Sequence, residues 1–350
     1  MQIVRKSSVA AIIFLLVLPS PAPEAGERAE VAELSAEISR IDERMTGRFG
    51  VFVKHPGEGW EVGHRTDRDW YLASTVKVPL AVAVLQKVEE GELSLEQELQ
   101  LAESDFVDGS GELLWHEPGD RFTIDELVGH SIRDSDSTAT DMLIRLLGEE
   151  SLNEQIREHM VPEGFGPITT ILQVRYDVYG EIHRDVQKLT NRDFIELKTE
   201  SDPEARYRMV LQKLAIDGDS VTVGSSAEAF ERYYARGINS ANLEAFGLLL
   251  ERLVGRELLN DAHTRKLLDR METVTTGDRR IRAGLPDGAR FAQKTGTLIA
   301  RCCNVGILNP HLEESAVVVV ACAEGYEELG QAEQAFEALG TALTEAGLVK

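Results

Sequence analysis

The spacing of apolar residues changes four times along the chain. Within residues 23–45 apolar residues recur at helical spacing between charges, which predicts an amphipathic helix. Two short apolar runs on either side of the turn-rich segment 55–59 then predict a β-hairpin. Helical spacing dominates the middle of the chain, at 75–90, 124–132, 136–147 and within 185–272. Strands are predicted again at 289–294, 302–308 and 316–323, before a last helix at 327–346.

This order of elements predicts an α+β fold. Strands from both ends of the chain would form one antiparallel sheet, covered by the terminal helices, with an all-α part inserted between them. The α/β part is predicted at about 28–70 and 275–350, and the all-α part at about 71–274. The two parts would form one catalytic domain, residues 28–350, with its cleft at their junction.

The N-terminus has the pattern of a secretory signal peptide. Arg5 and Lys6 precede the apolar run Val9–Leu18, which is too short to span a membrane, and prolines end the run. We therefore predict a signal peptide at 1–22 and a protein that is secreted or periplasmic, without a membrane span in the mature chain.

Charge and composition restrict the partners. The 350 residues carry a net charge of −23, and this becomes −25 without residues 1–22, which hold two bases and no acids. Nucleic acid and anionic lipid would be repelled by such a protein. Neither a His-rich ligand spacing nor a glycine-rich phosphate loop is present, so no metal or cofactor is predicted. We expect a monomer that acts on a small-molecule or peptide acyl substrate.

Three cysteines lie on the predicted C-terminal strands: Cys302, Cys303 and Cys322. In a symmetric hairpin Cys302 would face Cys322 directly, and a bridge between facing strand residues is usually strained. We therefore expect three buried or half-buried thiols rather than a disulfide.

The first motif with chemical content is Ser74-Thr-Val-Lys77. A serine and a lysine at this spacing share one face of a helix, and a lysine in apolar surroundings can lose its proton and activate the hydroxyl. The pattern alone is weak, because it is expected about once by chance in a chain of this length. A helix-capping serine beside a surface lysine is the simpler alternative.

Two further motifs follow in order. Ser135-Asp-Ser137 is compatible either with a helix N-cap or with a hydroxyl that relays a proton in a cleft. Lys294-Thr-Gly-Thr297 lies on a predicted strand, where a glycine indicates close approach to the backbone or a simple bulge. Lys294 would supply positive charge, and the backbone N–H of Thr297 could point at a developing oxyanion.

Together the three motifs resemble those of the class A β-lactamases and penicillin-binding proteins. Residues 73–80, 135–141 and 275–286 are also similar to segments of that family, and the resemblance covers most of 35–345. It implies a two-subdomain fold and acyl-enzyme chemistry.

The resemblance also implies roles for individual residues. Ser74 would be the nucleophile, Lys77 would act in acylation, and the backbone N–H groups of Ser74 and Thr297 would form the oxyanion hole. Ser135 and Lys294 would move protons and hold a substrate carboxylate. The remaining substrate-binding candidates are Ser137, Thr295, Gly296, Thr297 and Arg301. For Arg301 an ordinary surface position is the alternative.

Two positions depart from the family pattern. Ser137 replaces the usual Asn, and its shorter hydroxyl predicts a weaker contact to the substrate amide. The Glu-x-x-Leu-Asn motif that follows the second motif in class A enzymes is missing, and the segment 180–235 is longer than the family's. Glu181 and Asp177 are the candidates to activate the deacylating water.

We therefore predict a serine hydrolase that hydrolyses β-lactams through an acyl-enzyme on Ser74. Alternatives are a related serine peptidase or esterase, or a slow penicillin-binding protein that lacks efficient deacylation. A non-catalytic binding protein on the same fold is a further alternative, which the intact nucleophile disfavours.

Overall fold

The computed structural model describes residues 25–350, so the predicted signal peptide at 1–22 lies outside the described residues. In chain order the strands are β1 (Arg48–His55), β2 (Trp60–His64), β3 (Asp69–Tyr71), β4 (Glu98–Gln100), β5 (Arg121–Thr123), β6 (Ser240–Asn242), β7 (Phe291–Leu298), β8 (Arg301–Leu308) and β9 (Val317–Glu324). The N-terminal helices are α1 (Ala25–Arg44), α2 (Lys77–Glu89), α3 (Ile124–Arg133), α4 (Ser137–Leu147), α5 (Glu149–Gln155) and α6 (Ile171–Gly180). The remaining helices are α7 (Asn191–Lys198), α8 (Pro203–Lys213), α9 (Ser226–Tyr234), α10 (Leu243–Val254), α11 (Asp261–Glu272) and α12 (Leu329–Glu345).

The main sheet joins the two ends of the chain. It has five strands in the order β2-β1-β9-β8-β7, and every neighbouring pair is antiparallel. The predicted α+β architecture, with a sheet from both chain ends and helices inserted between them, is confirmed. The middle of the chain also contains two short ribbons, β3–β6 and β4–β5, within a segment that we expected to be entirely helical.

Both faces of the sheet are covered by helices. Every residue of β8 and β9 is buried. One face packs with apolar residues of α1 and α12, and the other with the apolar core of the inserted helices, including α2 and α10. Continuous apolar strands are the pattern expected for a sheet buried on both sides. Strand β7 forms the edge of the sheet beside the helical part, and this position places the third motif at their junction.

The expectation of three thiols is wrong. Cys303 faces Cys322 across β8 and β9, and these two residues form a disulfide. Cys302 faces Ala323 instead and is a buried free thiol. The loop between the strands shifts the register by one residue from the symmetric hairpin, and a shift of one residue moves a side chain to the opposite face. Within the described residues, no helix has the length and apolar character needed to cross a membrane.

Candidate active site

Ser74 lies on a tight turn that leads into α2. Residues 73–76 form a 3₁₀ turn, and the carbonyl of Leu72 accepts hydrogen bonds from the Thr75 backbone at 3.2 Å and from the Thr75 hydroxyl at 2.8 Å. Ala73 has φ +47°, a left-handed conformation that is unfavourable for a residue with a Cβ. The turn is therefore held in a strained shape that presents Ser74 to the cleft, where it is partly exposed.

Gly296 lets strand β7 pack against this turn. A Cβ at position 296 would lie 2.3 Å from the carbonyl oxygen of Leu72 and 2.8 Å from the backbone nitrogen of Ser74. Real Cβ atoms do not approach so closely, so only glycine fits without moving one of the two backbones. The close approach predicted for this glycine thus comes from the nucleophile turn.

A hydrogen-bond network connects the three motifs. The Lys77 ammonium donates to the Ser135 carbonyl at 2.5 Å and contacts the Ser135 hydroxyl at 3.1 Å. The Lys294 ammonium reaches the same hydroxyl at 2.9 Å and the Thr295 carbonyl at 3.0 Å. Both lysine side chains are fully buried. One hydroxyl therefore bridges two buried amines at the base of the cleft that holds Ser74.

Burial favours the neutral form of these lysines. It lowers the pKa of Lys77 to about 7, although the carboxylates of Asp136 and Asp141 oppose the shift. It also lowers the pKa of Lys294 well below its usual range, and the positive charges of Lys77 and Arg280 add to this effect. Near neutral pH, a substantial fraction of Lys77 can accept a proton from a hydroxyl.

The residues of the second motif have different roles: Asp136 stabilises a helix, and Ser135 and Ser137 belong to the cleft. Asp136 caps α4 by accepting the Ala139 N–H at 2.8 Å, and it accepts the Leu113 N–H at 2.8 Å. The N-cap interpretation therefore holds for this aspartate. Ser135 is left-handed, with φ +56°, and this conformation accompanies its position between the two amines. Ser137 also lines the cleft.

The side chain of Ser137 packs against the loop at Gly109. A Cβ on Gly109, which has φ +144°, would lie 2.2 Å from the Ser137 hydroxyl oxygen. The backbone N–H of Ser137 donates to the Ser110 carbonyl at 2.9 Å. The loop at 108–110 therefore lies directly against the start of α4 at Ser137.

Arg280 is a site residue that the sequence analysis missed. Its guanidinium donates to the Gly296 carbonyl at 3.0 Å, to the Cys303 carbonyl at 2.8 Å and to the Thr297 hydroxyl at 2.6 Å. Arg280 is 3% exposed and lines the cleft together with Thr295 and Thr297. Its only sequence signal was its place in the family-like segment 275–286.

Arg301 does not line the Ser74 cleft. Its guanidinium pairs with Glu231 at 2.7 Å and with Glu324 at 3.5 Å, and it stacks over the Tyr234 ring. It is absent from the lining of the cleft. Because the side chain is held by two carboxylates and an aromatic ring, the structure does not bring Arg301 to the position expected for a carboxylate-binding residue.

The opposite side of the cleft is formed by α6. Asp141 accepts the backbone N–H groups of Ile171 at 2.7 Å and Leu172 at 2.9 Å, and so fixes the start of this helix. Burial raises the pKa of Asp141 to about 6. The α6 side chains that line the cleft are apolar, aromatic or basic: Ile171, Val174, Arg175, Val178 and Tyr179.

Neither carboxylate proposed for deacylation faces Ser74. Asp177 and Glu181 lie 3.4 Å and 3.8 Å from the guanidinium of Arg236, and neither lines the cleft. The carboxylates that do line it, among the described residues, are Asp108 and Glu333. Asp108 accepts a hydrogen bond from Arg175 at 2.6 Å. The structure therefore does not bring Glu181 to the predicted position, because Glu181 and Asp177 face Arg236 instead of the cleft.

One cluster within residues 25–350 has metal-ligating side chains. Asp269, Glu272 and His311 lie close together, away from the Ser74 cleft. His311 contacts both carboxylates at 3.2 Å, and Glu272 also pairs with Arg290 at 2.7 Å. The cluster is thus explained as an ion-pair network.

Residues 33–346 match the family model described as "Beta-lactamase enzyme family". A β-lactamase of Rhodobacter capsulatus is 36% identical over 118 residues. That alignment covers 34% of this chain and 40% of the relative, so it spans less than half of either protein.

Solved structures share the fold. A β-lactamase from Sphaerobacter thermophilus superposes with a TM-score of 0.65 at 23% identity, covering 91% of this chain and 98% of that one. The L158E mutant of PBP-A, solved as an acyl-enzyme complex with penicillin G, gives a TM-score of 0.65 at 19% identity, with 91% and 96% covered. At this level of identity the likeness establishes the fold alone.

Proposed function

The chain belongs to the beta-lactamase enzyme family, and from this premise we propose that it hydrolyses β-lactams through an acyl-enzyme on Ser74. The observation that carries the proposal is the buried network in which the Ser135 hydroxyl bridges Lys77 and Lys294 beside the nucleophile turn. Such a network supplies both a base for the serine and a route for its proton. Ring opening inactivates a β-lactam, so this activity would confer resistance to such antibiotics.

Acylation follows from the protonation states. Neutral Lys77 takes the proton of Ser74 as the hydroxyl oxygen attacks the lactam carbonyl. The Ser135 hydroxyl gives its proton to the leaving nitrogen and is reprotonated by Lys77, so Lys77 ends the step neutral. Backbone N–H groups of Ser74 and Thr297 are the proposed donors to the oxyanion, and the contact of β7 with the nucleophile turn supports this pairing.

The carboxylate of the substrate would be held at β7. Lys294, Thr295 and Thr297 offer a buried amine and two hydroxyls. Arg280 donates two hydrogen bonds to this strand and a third to the Cys303 carbonyl on β8. A carboxylate near Lys294 would stabilise the protonated form of that amine. The added positive charge would in turn help to keep Lys77 neutral. We assign the support of the substrate carboxylate to Arg280 in place of Arg301, because Arg301 is bound to Glu231 and Glu324.

Deacylation would depend on Lys77 as well. The amine is neutral again after acylation and can take a proton from the attacking water, while the ester oxygen of Ser74 leaves and regains a proton. The described lining residues offer no loop carboxylate free for this task, since Asp108 is paired with Arg175. We therefore propose that release of the acyl group is the slow step.

We also propose export of the protein as a monomer to an extracytoplasmic compartment. The signal-like pattern of residues 1–22 supports export. The Cys303–Cys322 disulfide is compatible with an oxidising compartment, where disulfides persist.

The test is turnover of a chromogenic cephalosporin by the mature chain and by Ser74→Ala, with intact-mass spectrometry of both proteins. We expect many turnovers for the native chain, none above background for the variant, and a mass increase that depends on Ser74. A single burst with a lasting mass increase would contradict hydrolysis and leave a penicillin-binding protein. No colour and no adduct would contradict the proposal as a whole.

A further inference from the structure

Three cationic side chains lie along one arm of the Ser74 cleft. Arg175 comes from α6, Lys198 is the last residue of α7, and Arg206 lies on α8. All three line the same cavity of about 580 Å³ as Ser74. We refer to Arg175, Lys198 and Arg206 as the cationic arm.

Negative protein groups neutralise only part of this charge. Arg175 bonds Asp108 at 2.6 Å. The Arg206 guanidinium donates to the backbone carbonyl of Glu200 at 3.2 Å and 2.6 Å, and that acceptor carries no net charge. Within the part of the chain that is described, no carboxylate pairs with Arg206 or Lys198, although the protein has a net charge of −23. Two positive charges therefore remain available at the cleft, that of the buried Arg206 and that of the exposed Lys198.

The three charges are close enough to affect each other. Burial together with the positive charges of Arg206 and Arg175 lowers the pKa of Lys198. Holding like charges together costs free energy, which an incoming anion would recover. Accumulated charge of this kind is expected where a ligand supplies the opposite sign.

The helices that carry the cationic arm are packed against the rest of the cleft. The apolar residues of α7–α9 pack with Tyr71, Val174 and Val178 in one buried cluster. Arg192 on α7 pairs with Glu103 at 2.5 Å, and the Asn191 amide donates to the Phe106 carbonyl at 2.9 Å. These contacts fix α7 to the loop that carries Asp108. Arg175 and Arg206 are also hydrogen-bonded, so these two cations are held in place before any ligand arrives.

The arm is separate from the carboxylate-binding side at β7. In the lining of the cleft, Thr295 and Thr297 lie on β7, whereas the cationic arm lies on α6, α7 and α8. A substrate whose ring carboxylate binds at β7 would direct its acyl side chain toward α6 and the cationic arm.

We propose that the cationic arm binds an anionic group on the acyl side chain of the substrate, the substituent on the carbonyl side of the lactam ring. The preferred substrates are then acyl donors with a second carboxylate on the acyl side. This inference rests on the proposed β-lactam hydrolysis and narrows it to a class of substrate.

The test compares benzylpenicillin with α-carboxybenzylpenicillin, which differ by one side-chain carboxylate. We expect a higher kcat/KM for the carboxylated compound in the native chain. In Lys198→Met/Arg206→Met the ratio of the two kcat/KM values should fall by about 10- to 100-fold, because a charge-assisted hydrogen bond is lost at each position. Lys198→Met alone serves as a milder variant if the loss of the buried Arg206 impairs folding.

Arg208→Met is the matched control, since Arg208 lies on α8 but outside the cleft. It should leave the ratio unchanged. Equal ratios in the native chain, the double variant and Lys198→Met would overturn the inference. If benzylpenicillin is not hydrolysed at all, the proposed function fails instead. Calorimetric binding of both penicillins to Ser74→Ala then decides the subsite separately, and equal affinities would overturn it.

Discussion

The two walls of the cleft differ in the side chains that form them and in the contacts that hold those side chains. The motif wall consists of Ser74, Lys77, Ser135 and Lys294, and a chain of buried hydrogen bonds holds it. The loop wall consists of Ile171, Arg175, Lys198 and Arg206, on three short helices with an apolar cluster of their own. The motif wall contains the groups that the acyl transfer requires. The loop wall has apolar and cationic groups where a carboxylate was expected.

This difference indicates a division of labour. The proton route on the motif wall would determine that an acyl-enzyme forms on Ser74. The loop wall would contact the acyl side chain of the substrate, so it would determine which acyl group is accepted and how fast the opened substrate is released from Ser74. Asp141 joins the two walls, because it binds the backbone of α6 and acts electrostatically on Lys77.

Removing the base tests the motif wall most strongly. We expect Lys77→Met to lower kcat/KM by about 10²- to 10⁴-fold, because proton transfer from Ser74 is lost. In the native chain kcat/KM should rise with pH through about 7, as Lys77 loses its proton, and this limb should vanish in the variant. Lys87→Met changes a partly exposed lysine of the same helix, which pairs with Glu90 away from the cleft, and should behave like the native chain. A preserved pH limb in Lys77→Met would assign the base to another group.

A carboxylate on the loop wall tests the cause of slow deacylation. Ile171 lines the cleft at the start of α6. We expect Ile171→Glu to raise kcat by roughly 10- to 100-fold through general-base activation of the water, with little change in the rate of acylation. Gln173→Glu adds the same acid on α6 outside the cleft lining. Stopped-flow kinetics would measure the rates of acylation and deacylation separately in each variant. Equal kcat values in the two variants would show that deacylation does not limit turnover.

Separating the strand from the nucleophile turn is expected to have a smaller effect. Gly296→Ala places a Cβ 2.3 Å from the Leu72 carbonyl oxygen, so β7 or the turn must move. We expect a loss of about 1–3 kcal/mol in the free energy of unfolding and a loss of roughly tenfold in kcat/KM. Gly330→Ala on α12 meets nothing within 4 Å and should be tolerated. Urea unfolding and kinetics on both variants check this, and a fully active Gly296→Ala would contradict the tight contact.

Replacing Asp141, which acts on both walls, should give the smallest change in kcat/KM. Asp141 raises the pKa of Lys77, so Asp141→Asn should lower that pKa further and move the acidic limb of kcat/KM to lower pH. At pH 6 we expect an increase on the order of 3- to 10-fold. Asp105→Asn removes a carboxylate that pairs with Arg145, away from the cleft, and should leave the limb in place. An unshifted limb in Asp141→Asn would show that Asp141 acts only on α6.

Removing the acid should also change the pH dependence of stability. The pKa of Asp141 is raised from 3.8 to about 6 on folding, so the folded state binds the extra proton. The native chain should lose stability from this group as pH rises from about 4 to about 6. That loss should be absent in Asp141→Asn, and urea unfolding at both pH values measures it.

The sequence was informative where local pattern and motif coincide. Alternating and helical spacing predicted the two-ended sheet and the inserted helices, because long periodic segments have one favourable way to bury their apolar faces. Where a residue's partner is distant in sequence, the pattern carried less information. Arg301 followed the third motif in sequence, yet Glu231 holds it, 70 residues away. Arg280 had no local signal, because its three acceptors come from β7 and β8.

By itself, then, the sequence determined the main sheet, most of the helices, the fold class and the three motifs, since these depend on periodicity and on chemistry carried by neighbouring residues. Only the tertiary structure decided that Cys303 pairs with Cys322, that Glu181 faces Arg236 and that Arg175, Lys198 and Arg206 share one cavity. Register, helix rotation and the position of an insert each depend on how separate elements pack. A change of one residue or a fraction of a turn is enough to move a side chain into or out of a cleft.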